Sequence, residues 1–99
     1  MPVELSNIPG RSEPQGFVHV GVASGSRTVY VAGQVSQDAE GETVAKGDLA
    51  GQTEQALLNV VGALESVGAA PAKPSTLIGV AALFSPDYLI EIDATAVLA

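Results

Sequence analysis

Tyr30-Val-Ala-Gly-Gln-Val35, followed by Gly47-Asp-Leu-Ala-Gly-Gln-Thr-Glu-Gln-Ala-Leu-Leu-Asn-Val60, decides how this chain is read. The first stretch predicts a buried strand ending at a Gly-Gln turn. Gly33 stands at the strand end, where a missing side chain permits a bulge or the close approach of another backbone or a ligand. Between the two stretches, Asp38-Ala-Glu-Gly-Glu42 predicts a tight acidic turn and lacks the length and spacing of an EF-hand. The second stretch predicts a helix over 48–67. Asp48 is a suitable N-cap, and Leu49, Thr53, Ala56, Leu57, Val60, Val61, Leu64 and Val67 fall on one apolar stripe. Gln52, Glu54, Gln55, Asn59, Glu65 and Ser66 lie largely outside that stripe. Gly68 follows where a helix end favours a left-handed residue.

Working outward, residues 1–16 carry Pro2, Pro9, Gly10, Pro14 and Gly16 and read as an irregular lead-in. Phe17-Val-His-Val-Gly-Val-Ala23 alternates, with Val18, Val20 and Val22 on one face. A turn at Ser24-Gly-Ser-Arg27 and a returning strand at Thr28–Ala32 predict a hairpin. Ser75-Thr-Leu-Ile-Gly-Val-Ala-Ala-Leu-Phe84 predicts a strand buried on both faces. The last strand, Leu89-Ile-Glu-Ile-Asp-Ala-Thr-Ala-Val97, places Glu91 and Asp93 together on one face.

Composition narrows the function classes. A chain of 99 residues makes one domain, 1–99, with a thin stability margin that oligomerisation would widen. Hydrophobic residues make up 46% but aromatics only 4%, so the core is built from Val, Leu, Ile and Ala. Eleven acidic residues against four basic ones leave a formal net charge of −7. Arg11, Arg27, Lys46 and Lys73 are dispersed, which argues against nucleic acid and against an anionic membrane surface. The absence of Cys removes disulfide and thiolate chemistry, and a single His gives almost no metal-ligating material. No apolar run approaches the roughly 20 residues a membrane span needs. The amino terminus carries Glu4 where a signal peptide carries basic residues. Together these predict a soluble cytoplasmic protein.

The strand ending at Gly33-Gln34, the helix from Asp48 and the Glu91-Ile-Asp93 ending resemble the RidA (YjgF) family, often labelled endoribonuclease L-PSP. The resemblance covers most of residues 12–99. It implies an α+β fold, a RidA/chorismate-mutase-like mixed β-sheet backed by helices on one face, assembled as a homotrimer with clefts between subunits. It also implies a hydrolase that deaminates reactive imines and enamines without metal or cofactor.

Relative to that family there is a seam: Gly68-Ala-Ala-Pro-Ala72 runs directly into Lys73-Pro-Ser-Thr76, where a strand-plus-helix unit of about 30 residues is expected. The chain is either a shortened member or a sequence from which a segment has been omitted. Physical argument favours omission, because losing a helix and a strand leaves a strip of apolar surface and unpaired edges.

The resemblance implies site residues one by one. Glu91 matches the family's water-activating glutamate, Gly33 keeps its place beside Gln34, and Phe17 holds the aromatic position without a hydroxyl. Ser75 and Thr76 match the start of the substrate-binding strand. Pro74 stands where an arginine would grip a substrate carboxylate, and Lys73 is a poor substitute for a planar guanidinium fork. The family's asparagine falls inside the missing unit. Two readings stay open: a divergent deaminase acting through Glu91, or a non-catalytic trimer binding a small metabolite in the same cleft. His19, opposite the valine face, has no nucleophile motif near it and reads as a packing or surface residue.

Overall fold

The computed structural model describes residues 3–15, 18–69 and 79–98. Its elements are β1 (Val3–Ser6), β2 (Val20–Ala23), β3 (Arg27–Gln34), α1 (Leu49–Ser66) and β4 (Ile92–Leu98). The two sheets among the described residues are antiparallel pairs, β1 with β2 and β3 with β4. This is an α+β arrangement, although the mixed sheet expected from the family is not what the described residues form.

The expected hairpin between β2 and β3 does not form either. β2 pairs with β1, Val3 opposite Ala23, and β1 itself arises within the supposedly irregular lead-in. β3 pairs with β4 instead, Arg27 opposite Leu98 and Val31 opposite Ala94. Alternation marks which residues share a face, but it does not name the partner strand. The contest is settled by the apolar face that β3 and β4 share: Val31 and Ala96 are buried, and Val29, Ile92, Ala94 and Leu98 pack around them.

Helix α1 covers that face. Its buried residues are Gln52, Ala56, Val60 and Leu64, one ridge at four-residue spacing. The broader stripe expected from the sequence splits in two. Leu49, Leu57 and Val67 are 54%, 47% and 45% exposed, because no second helix lies beside α1 among the described residues. Asp48 occupies the N-cap position but makes no side-chain capping bond. Its carboxylate instead crowds Gly51, where an added Cβ would come within 2.7 Å of Oδ2.

The helix end follows the expectation. Gly68 takes φ +76°, its N–H bonds to the Glu65 carbonyl, and the Ala69 N–H bonds to the Leu64 carbonyl at 2.9 Å. This is a Schellman closure, and its customary apolar contact is made by Ala69 and Leu64 within the core.

The strand expected over 75–84 lies partly outside the described residues. Its described part, 79–84, is not a strand, and Val80 and Phe84 are 64% and 71% exposed. The seam at Ala72–Lys73 also lies outside them. The radius of gyration, 15.0 Å, exceeds the about 13 Å typical of a compact chain this long.

Candidate functional site

The site is built where β3 and β4 stop matching. Val31 pairs with Ala94 and Gln34 with Ile92, so β3 spends three steps while β4 spends two. The extra residue makes a β-bulge at Ala32-Gly33, a device that re-aims side chains at strand ends. Just beyond the last rung, the Glu91 side chain folds over Gly33. A Cβ added at Gly33 would fall 2.6 Å from the Glu91 Cδ and 2.8 Å from its Oε2. Position 33 therefore has to be glycine for the carboxylate to rest there. Both residues are exposed, leaving the carboxylate open to water and to a ligand.

Two sequence-selected residues thus meet, 58 positions apart in the chain. Asp93 lies on the outward face of β4 with Thr95, opposite the core residues Ala94 and Ala96. Phe17, Ser75 and Thr76, together with Lys73 and Pro74, lie outside the described residues.

The loop after β3 has its polar groups committed. Asp38 accepts from the N–H groups of Glu40 and Glu42, both at 3.0 Å, so its carboxylate is spent on closing the acidic turn. Asn59 of α1 donates to the carbonyls of Val35 at 2.9 Å and Gln37 at 3.0 Å. Gln55 in turn donates to the Asn59 Oδ1 at 2.9 Å. These amides border an open groove of ≈ 400 Å³ that also touches Gln34 and Leu58. No three His, Cys, Asp or Glu among the described residues converge as a metal site. His19 serves local structure: its Nδ1 accepts from the Ile8 N–H at 3.0 Å, and its own N–H donates to the Asn7 side chain at 3.1 Å.

Gln52 is the residue the sequence pattern did not bring forward. It is completely buried and bonds to the segment leading into Glu91. One signal was present: Gln52 falls four residues before Ala56, in step with Val60 and Leu64. A polar side chain in step with a buried ridge is a candidate for buried hydrogen bonding.

Fold and site together define a small α+β domain whose helix-backed strand pair carries a carboxylate over a bulged glycine. The chain matches the family described as endoribonuclease L-PSP over residues 11–74. It also superposes on the crystal structure of YyfB from Yersinia pestis, described as a protein of unknown function of the conserved Rid family. That likeness has a TM-score of 0.87 at 33% identity and covers 99% of this chain and 100% of the other. A search of curated proteins returns no significant match. The chain belongs to the RidA (YjgF, endoribonuclease L-PSP) family. No helix among the described residues is long and apolar enough to cross a membrane.

Proposed function

We propose that the protein is a divergent imine- or enamine-deaminase-like hydrolase, working in clefts between the subunits of a cytoplasmic homotrimer. The observation that carries this reading is the Glu91 carboxylate resting on the bulged Gly33. An exposed carboxylate so held can take a proton from water as the water adds to the C=N carbon. It can return that proton to the nitrogen, giving a carbinolamine, and then relay the hydroxyl proton to the same nitrogen as the C–N bond breaks, so that ammonia leaves and a carbonyl remains.

Assembly is supported by what the single chain leaves bare. The outward face of β3 and β4 presents Thr28, Tyr30 and Thr95, with Tyr30 80% exposed, and on the other side of the sheet Leu49 and Leu57 of α1 are left bare, with no other helix over them among the described residues. Closed symmetric assembly is the usual way such surfaces are removed from water. Light scattering is expected to give three chains per particle; a stable monomer at micromolar concentration removes the inter-subunit cleft from the proposal.

The short form is supported as the chain's own. The Yersinia neighbour is covered along its whole length by 99% of this chain, and two chains of matching length favour a short form over an omitted segment. The bare apolar ridge on α1 is the consequence expected of that shortening.

A second reading, a non-catalytic trimer that binds a small metabolite, is favoured by Pro74 at the position of the carboxylate-gripping arginine. A lost charge-assisted bond is worth on the order of 1.5–3 kcal/mol, and the net charge of −7 further disfavours anionic substrates. Uncharged imines and enamines are therefore the better substrates. The deciding experiment generates 2-iminopropanoate, 2-iminobutanoate and an uncharged imine and follows their decay with and without the protein. Faster decay of the uncharged imine, lost in Glu91→Ala, is the expected result. No acceleration of any imine leaves the binding reading in place.

A further inference from the structure

We propose that Gln52 is the positioning residue for Glu91, setting where the carboxylate comes to rest on Gly33. The proposal rests on the reading of Glu91 as the working carboxylate. Glu91 stands one residue outside the ladder, whose last rung joins Gln34 to Ile92. Nothing in the sheet therefore fixes the backbone on its other side. Gln52 does. Its Oε1 accepts from the Leu89 N–H at 2.9 Å, and its Nε2 donates to the Asp87 carbonyl at 2.8 Å. A longer contact at 3.4 Å reaches the Ala45 carbonyl. One amide thus brackets Tyr88 from both sides, and Glu91 is launched from a segment held at Leu89 and again at Ile92.

Other fastenings hold the same segment from outside. The Tyr88 hydroxyl accepts from the Gln37 Nε2 at 2.7 Å and lies 3.4 Å from the Thr43 Oγ1. Lys46 pairs with Asp87 at 3.2 Å, with the lysine side chain 70% exposed. A solvated pair of that kind constrains little. Gln52, by contrast, is fully buried in the ridge it shares with Ala56, Val60 and Leu64. An apolar side chain of similar volume would fill that ridge equally well. What only the amide supplies is direction, because both of its ends must point at fixed peptide groups.

The test uses the full-length protein. In wild type, a nuclear Overhauser contact is expected between the Glu91 side chain and the Gly33 α-protons. Gln52→Met, which keeps volume and loses both bonds, is expected to melt cooperatively yet lose that contact. Where an imine is turned over, its kcat is expected to fall about tenfold or more with KM nearly unchanged, as for a group that acts in the transition state. Tyr88→Phe, which removes only the outer fastening, is expected to keep the contact. If Gln52→Met does not fold, Gln52→Asn serves in its place: it retains the amide but is one methylene too short to reach both peptides, and the contact is again expected to vanish. A contact retained in the Gln52 variant, or lost equally in Tyr88→Phe, overturns the proposal. If the wild type hydrolyses no imine but the contact still depends on Gln52, the deaminase reading fails and the positioning role stands.

Discussion

The β3–α1–β4 unit and the β1–β2 pair are written in similar residues and have different fates. Both contain alternating valines: Val29 and Val31 in β3, Val20 and Val22 in β2. Val31 is 9% exposed because the ridge of α1 lies over it, whereas Val22 is 57% exposed because nothing does. Two strands alone are marginal in water. The difference teaches that a β-pattern states a capacity for burial and the helix decides where it is used.

The sharpest way to break this comparison is to place the same charge in each region. Leu64→Asp puts an unpaired carboxylate into a site 2% exposed. Its cost of several kcal/mol rivals the whole stability of a small domain, so circular dichroism should show no cooperative melt. Val22→Asp should leave the melt nearly intact. Equal damage from the two would mean that β2 is buried in the assembled protein.

Gly33→Ala is the next largest. The new Cβ meets the flexible end of Glu91 rather than backbone, so the melting temperature should move by the equivalent of about 1 kcal/mol or less. Imine turnover or ligand binding should fall much further, which calorimetry and the decay assay can separate. Leu57→Asp, on the bare ridge of α1, should cost the single chain about 1 kcal/mol or less; its effect belongs to the subunit count, read by light scattering. Smallest is Lys46→Ala. Breaking an exposed ion pair is worth about 0–1 kcal/mol, and a denaturant midpoint unchanged within error is expected.

Much of the packed unit was legible because its signals are local. Asp48 before the apolar stripe and Gly68 after it bound α1 to within one residue at each end. Gly33 and Glu91 were legible as a pair only through the family resemblance, since nothing in their spacing predicts that they touch. What stayed hidden was relational. The exchange of β3's partner from β2 to β4, and the strand within residues 3–6, depend on long-range pairing that period-two alternation does not encode. Leu57 and Leu64 have the same hydrophobicity and helical context, yet only one faces the sheet. Gln52 was hidden for the opposite reason: its polarity suggested an outward face, and its partners are peptide groups more than thirty residues away.

The bulge at Ala32-Gly33 carries a last consequence, for how such a chain can evolve. β3 is one residue longer than its partner requires between the rungs Val31–Ala94 and Gln34–Ile92. Removing that single residue would equalise the two strands and let the ladder run on without interruption. Regularity and the resting place of Glu91 are thus alternatives at one codon. Deleting the surplus residue is therefore expected to straighten β3 and, in the same step, to take away the resting place of the Glu91 carboxylate.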